Sequence, residues 1–126
     1  MDFKIKQNSE LPILELKPYK GKNYSELLEI IKNSTVTFSM YDDKDCFIVK
    51  DKLGIINLDT KSNTLNDKTD TCREILDFTI QYHFKKNDTK KVGKYKGVFK
   101  IIFQQDSEEK TLITPYTKLL YIEVIK

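Results

Sequence analysis

The chain reads as an all-β fold, an antiparallel β-sandwich of seven to nine strands with one short helix. Three observations predict it. Apolar residues recur at every second position in one segment after another. Polar clusters rich in Asn, Asp, Gly or Pro interrupt them at roughly the 8–12-residue spacing of sandwich strands. One stretch alone, near residues 23–31, has the i, i+3, i+4 apolar spacing of a helix. A closed barrel is the second architecture that such a pattern allows.

Residues 2–7 alternate, with Phe3 and Ile5 set between Asp2, Lys4 and Lys6, and read as a short first strand. Residues 11–16 follow, with Leu14 and Leu16 facing in and Glu15 and Lys17 facing out. Pro12 suits the start of an edge strand, because it cannot donate to a ladder. Residues 18–23 turn at Gly21. Asn23 can then cap a helix, and Glu26 three residues later completes a capping box. Leu27, Leu28, Ile30 and Ile31 form its apolar stripe, and Asn33-Ser34 ends it. So short a helix must be held by tertiary packing.

Residues 35–41 read as a strong strand, with Val36, Phe38 and Met40 on one face and Thr35, Thr37, Ser39 and Tyr41 on the other. Asp42-Asp43-Lys44-Asp45 is a hairpin turn, residues 46–50 the returning strand, residues 51–54 a second turn, and residues 55–58 another short strand. In residues 59–71 Leu65 is the one apolar residue, so this stretch reads as an exposed loop. Leu76, Phe78, Ile80, Tyr82 and Phe84 then alternate with Asp77, Thr79, Gln81 and His83, which predicts a long strand.

The stretch from residue 87 to residue 103 organises the rest. A polar corner, residues 85–91, turns on Gly93 and runs into a strand. Tyr95, Gly97, Phe99, Ile101 and Phe103 share one face; Lys94, Lys96, Val98, Lys100 and Ile102 share the other. That is a half-buried strand. Residues 104–110 read as a polar hairpin loop, and residues 111–114 as a short strand stopped by Pro115. Residues 119–125 form the last strand, apolar on both faces, which predicts a central position or a covered outer face. No repeat or composition break divides the chain, and residues 1–126 read as a single domain.

A chain of 126 residues should bury about two-thirds of its unfolded surface without metal or disulfide staples. Hydrophobic residues at 39% and aromatics at 11% make it globular, and 33% charged residues give it a wet surface. The net charge of +3 is mild, and of the 22 basic residues Arg73 alone is arginine. Lysine is a solvated point charge without arginine's bidentate fork, so the composition argues against dedicated nucleic-acid recognition. The two cysteines, Cys46 and Cys72, are fewer than a disulfide scaffold carries and read as reduced, small core residues. Residues 1–10 are too polar for a signal peptide, and no apolar run approaches the ~20 residues of a bilayer span. A soluble protein made in the cytosol is expected.

Immunoglobulin-like sandwiches carry a tyrosine near the start of the penultimate strand, its hydroxyl bonded to backbone a few residues upstream. Asp88, Thr89, Gly93 and Tyr95 place such a corner here, with Gly97 where antibody domains have a cysteine. The expected fold is therefore an immunoglobulin-like sandwich without the inter-sheet disulfide. The chain as a whole resembles the immunoglobulin-like N-terminal domain of the upper baseplate protein family of lactococcal phages, also found alone in phage structural genes. The matching stretches are Leu11-Pro12-Ile13-Leu14-Glu15-Leu16, the helical turn leading into Ser34-Thr35-Val36-Thr37-Phe38-Ser39-Met40, and Tyr82-His83-Phe84 followed by Asp88-Thr89 and Gly93-Lys94-Tyr95-Lys96-Gly97-Val98-Phe99. Residues 111–115 with the closing strand 119–125 complete the order. Phe84 stands where the family often has tryptophan, and residues 59–71 are longer and more polar than its pattern.

Candidate chemistry is sparse. His83 lies on the polar face of its strand with no ligand spacing around it, and reads as a surface or interface residue. Asp42-Asp43-Lys44-Asp45 lacks the glycine and glutamate of a calcium loop. Glu108-Glu109 is a loop pair with no opposing carboxylate. Lys85, Lys86, Lys90, Lys91, Lys94, Lys96 and Lys100 form the densest basic run. It reads as a solvated corner, a docking site for an acidic protein, or, least of the three, a phosphate site; the aromatics interleaved with it fall on the opposite face of the strand, where they cannot serve as a stacking platform. Without a phosphate loop, nucleophile elbow, His-Glu-x-x-His or Cys-x-x-Cys, no enzyme, cofactor or metal is expected.

The resemblance implies a non-enzymatic structural component of a bacteriophage virion, assembled in the host cytoplasm. It would be an adaptor or decoration subunit, in multiple copies on a symmetric assembly, docking onto tail, baseplate, neck, head-fibre or capsid proteins. Tyr41, Lys85, Lys86, Lys90, Lys91, Tyr121 and Ile125 are the candidate docking residues. Nucleic acid and membrane are not expected partners. The alternative is a carbohydrate- or host-surface-binding module on the same sandwich, disfavoured by the lack of tryptophan; a small nucleic-acid-binding barrel ranks third.

Overall fold

A computed structural model of the chain describes residues 1–17, 24–65, 70–115 and 118–126, with side chains described for all of these except 24, 32, 60–65 and 70–76. Among them nine strands and one α-helix form an all-β sandwich. In chain order these are β1 (Asp2–Lys6), β2 (Leu14–Leu16), α1 (Tyr24–Ile30), β3 (Thr35–Tyr41), β4 (Phe47–Leu53) and β5 (Ile55–Leu65). After them come β6 (Asp70–Tyr82), β7 (Gly93–Gln105), β8 (Glu108–Thr114) and β9 (Leu120–Ile125). The larger sheet has the order β1-β9-β7-β3-β4, with β8 also on β7; the smaller has the order β2-β6-β5.

The length of β7 explains how one strand serves three neighbours. Its residues 93–97 pair with β9, and residues 99–105 pair with β8 further along. β3 lies against it over residues 96–102. Tyr95, Gly97, Phe99 and Ile101 are buried as the period of two predicts, and Phe103 packs against the core at its edge. β9 sits between β1 and β7, a position inside the sheet as expected, while its outer face of Tyr121, Glu123 and Ile125 stays partly exposed.

An aromatic cluster joins the two sheets. The ring of Phe38, on β3, lies 4.4 Å from Tyr82, 4.9 Å from Phe99 and 5.9 Å from Phe84. Tyr82 and Phe84 come from the end of β6 and the residues just beyond it, so these contacts cross the sandwich. Phe38 stacks on Tyr82, while its tilted approach to Phe99 and edge approach to Phe84 match the quadrupole preference of such rings. Gly97 makes the crossing possible: a Cβ there would stand 2.7 Å from Ile122 and 3.1 Å from Phe38. Ile31, in a 3₁₀ turn (Ile31–Asn33) after α1, is fully buried, and Leu27 and Leu28 pack onto the same core.

Several sequence expectations are corrected. β1 and β9 pair in parallel, so the sandwich is not wholly antiparallel. The strand expected over residues 11–16 narrows to Leu14–Leu16. Residues 51–53, expected to turn, continue β4 past a bulge at Asp51, which has a φ of 48°. Ser39 fixes that bulge by accepting the Asp51 N–H at 2.9 Å, which buries a residue expected to face outward. Residues 59–71, expected as a loop, belong largely to the long β5–β6 hairpin, paired from Ile55↔Gln81 to Leu65↔Asp70. Residues 104–110 shorten to a turn at Asp106-Ser107, both at positive φ, as a two-residue hairpin of the type I′ class requires. Cys46 is exposed rather than a core residue. The side chains of Cys72 and Leu76, and the helix cap expected at Asn23, lie outside what is described.

Candidate functional site

The tyrosine corner forms as expected at Tyr95, and a second lock lies beside it. The Tyr95 hydroxyl donates to the Lys91 carbonyl at 2.6 Å, and Gly93 lies close under the ring, where a Cβ would sit 3.4 Å from that hydroxyl. Residues 86–89 form a 3₁₀ turn. Asp88 accepts the Tyr82 hydroxyl at 2.6 Å and the Lys85 N–H at 2.9 Å. Thr89, fully buried, donates to the Ser9 carbonyl at 2.9 Å, and its own carbonyl accepts the Asn8 N–H at 3.0 Å. Gln7 reaches the Lys90 carbonyl at 2.8 Å. Burial pushes the Tyr82 hydroxyl well above the usual tyrosine range, with the Asp88 hydrogen bond and charge adding to it. Burial likewise raises Tyr95. The corner is thus a strut linking β6, β7 and the segment after β1. Sequence spacing suggested the Tyr95 half; the pairing of Tyr82 with Asp88 was not read, because proximity came from the turn itself.

The docking candidates divide between two places. Lys85, Lys86, Lys90 and Lys91 are exposed at the corner. The corner is not purely basic, because Lys91 faces the acidic hairpin turn. The Asp42 carboxyl is held below its ordinary range chiefly by the Cys46 N–H, with the Lys44 N–H and the charges of Lys44 and Lys91 contributing. Asp42 accepts both N–H groups at 2.9 Å, so the cluster is a self-satisfied turn, as its composition suggested. Tyr41 and Tyr121 lie on the outer face of the larger sheet. Cross-strand register sets Asp2, Tyr121, Lys96, Tyr41 and Phe47 side by side in a row across β1, β9, β7, β3 and β4. Ile125, half-buried, pairs with Lys6 two rows further along, beyond the Lys4–Glu123–Lys94 row.

A third surface escaped the sequence reading. β4 ends the larger sheet, β5 ends the smaller, and Gly54 alone joins them. Its N–H donates to the Val36 carbonyl at 2.8 Å, and a Cβ there would meet the Gln81 carbonyl at 2.8 Å, so the crossing is tightly seated. Leu53 (75% exposed), Ile55 and Leu58 stand uncovered beside it. Leu53 and Leu58 border a groove of about 280 Å³ that is also lined by Ile31, Ser34, Thr35, Val36, Gly54 and Ile56. The signal was present as Leu-Gly-Ile-Ile, but it reads as an ordinary turn until both strands are seen to be sheet edges.

His83 is exposed, with Nε2 3.3 Å from the Gln81 amide oxygen. Among the described residues no group of three or more His, Cys, Asp or Glu is placed to hold a metal, and no helix is long and apolar enough to cross a membrane. Asp77 pairs with Lys17 at 3.9 Å and accepts the Phe78 N–H at 2.8 Å. In comparisons with known proteins, no family model, no curated protein and no solved structure matches this chain.

Proposed function

We propose that this chain is a non-enzymatic structural subunit of a virion, an immunoglobulin-like adaptor or decoration domain that docks onto tail, baseplate, neck or capsid proteins. The observation that carries the docking reading is the uncovered seam where β4 passes into β5. Exposed Leu53 and Leu58 flank a groove of mixed apolar and hydroxyl lining there, with exposed Ile55 beside it, between the terminal strands of both sheets. Terminal strands offer unpaired N–H and C=O groups to an added strand, and alternate side chains of that strand need apolar pockets. Lys50, Lys52 and the Asp51 bulge on β4 restrain indiscriminate edge pairing, the usual protection of a specific docking edge. The virion setting is supported by the order of sequence stretches that resembles the phage baseplate domain.

The test is co-expression with the proteins encoded by neighbouring genes, followed by co-purification. A portal, tail, baseplate or capsid protein retained by the native chain and lost with Leu53→Asp or Leu58→Asp is the expected result. Retention undiminished by both substitutions would remove the seam from the reading. A gene neighbourhood of metabolic enzymes, or turnover of a small compound, would overturn the function itself.

A further inference from the structure

The outer face of the larger sheet carries chemistry that the docking seam does not use. Down its middle strand, β7, Lys94, Lys96 and Lys100 point outward. Register brings rings from the neighbouring strands onto this same face: Tyr121 (44% exposed) on one side of Lys96, and Tyr41 and Phe47 (52% exposed) on the other. Tyr41 and Phe47 meet edge to face at 6.1 Å, and the Lys50 ammonium lies 5.4 Å from the Phe47 ring centre. With strands ~4.8 Å apart, Phe47 and Tyr121 stand about 14 Å apart with Lys96 between them. The face also carries Lys4, and its carboxylates include Asp2, Glu123, Asp51 and, towards the far end of β8, Glu109. Glu123 stands between Lys4 and Lys94 in register, Asp51 lies 4.0 Å from Lys100, and Lys96 has aromatic neighbours on both sides. A groove of about 460 Å³ borders Tyr121, Lys4 and Lys94.

Lysine is depleted at the centres of protein–protein interfaces, yet here it holds the central strand. A ligand suited to this face brings negative charge along its length and flat rings at intervals. Single-stranded nucleic acid does both: its phosphates meet lysines, and its unstacked bases lie on aromatic side chains. A duplex keeps its base faces stacked on one another. With lysine point charges and no arginine fork on the face, base edges go unread. The geometry points to a sequence-independent platform for single-stranded nucleic acid on the outer face of the larger sheet, centred on Lys96 between Tyr121 and Phe47. This surface is separate from the β4–β5 seam, and neither reading depends on the other.

The test is fluorescence anisotropy of the full chain with labelled oligothymidylate, with a duplex of equal length, and with polyglutamate as competitor. Oligothymidylate binds in preference to duplex, with a log–log salt slope of about −2 for three phosphate contacts at ~0.7 per contact. Tyr121→Ala and Phe47→Ala each weaken it about tenfold, the effect of losing one stacked base, while Tyr121→Phe binds as the native chain does. Lys96→Gln lowers both affinity and salt slope. Lys17→Gln, just past β2 and beside Asp77 of the smaller sheet, changes neither. Thermal melts that stay within a few degrees of the native chain confirm that each variant folds. No binding at low ionic strength overturns the platform. So does binding that survives both ring substitutions, or that polyglutamate displaces as readily as unlabelled oligothymidylate, since either result leaves only non-specific charge.

Discussion

β7 and the β5–β6 hairpin are the longest paired segments of the molecule, and they are built on different principles. β7 is hydrogen-bonded along both edges and buries Tyr95, Gly97, Phe99 and Ile101 beneath it. Its sequence alternates because one face meets a core and the other meets water. The hairpin beyond Asp59 is paired strand to strand, from Thr60↔Ile75 to Leu65↔Asp70, while β2 reaches β6 only at residues 80–82. Its sequence over residues 60–74 shows no such period. Strand conformation therefore does not require alternation in the sequence. A ribbon whose backbone groups satisfy each other forms without it.

The largest expected effect tests how far the two segments are independent. Phe38→Ala, which opens the aromatic cluster over β7, should cost about 3–5 kcal/mol in denaturant unfolding. Replacing residues 60–75 by a short Asn-Gly turn should cost less than about 2 kcal/mol, because β5 and β6 pair with each other there, beyond the residues of β6 that β2 reaches. A hairpin deletion that costs as much as Phe38→Ala would erase the distinction.

Next in size is the strut that holds β7 to β6. Asp88→Ala leaves the Tyr82 hydroxyl and the Lys85 N–H without their acceptor, and should cost about 2 kcal/mol. Tyr95→Phe removes one hydrogen bond to the Lys91 carbonyl and should cost about 1 kcal/mol. Faster amide exchange should then be confined to residues 85–92. Exchange rising equally across the β5–β6 hairpin would show that the corner supports both segments.

The same strut sets an alkaline limit. Tyr82 and Tyr95 keep their protons in the folded chain beyond the ordinary tyrosine range. Unfolded tyrosines ionise near pH ~10. The unfolded chain then releases protons that the folded chain retains, so stability falls as pH rises above that value. Melting curves between neutral pH and strong alkali should show the fall, and Tyr82→Phe should make it shallower. A Tyr82→Phe variant with an unchanged alkaline slope would assign the loss to other groups. The smallest effect belongs to Thr114 at the end of β8, whose buried hydroxyl has no hydrogen-bond partner among the described residues. Thr114→Val should be neutral or stabilising by up to about 1 kcal/mol, read by chemical denaturation.

Burial alternation was legible wherever a face met the core. Val36, Phe38 and Met40, Phe78, Ile80, Tyr82 and Phe84, and the β7 face all fall where their spacing put them. Tyr95 was legible because its bond closes within four residues. Three things were not. Beyond Asp59 the sequence of the β5–β6 hairpin does not alternate, the seam at Gly54 is ordinary until both strands prove to be edges, and the rings around Lys96 come from strands far apart in the chain. Tyr95, Phe99 and Phe103 do lie on the face opposite the lysines, as read, but Tyr41, Phe47 and Tyr121 do not.

By itself the amino-acid order determined which residues turn inward, where most strands run, and that a tyrosine would pin the bend before β7. Those are short-range consequences of backbone pleat and hydrophobic burial, complete within a few neighbours. Only the assembled sandwich decided which strands lie side by side, that β1 joins β9 in parallel, and that Tyr121, Lys96, Tyr41 and Phe47 share one row. Register between distant strands is chosen by the whole set of mutually compatible contacts, and no local stretch contains that choice.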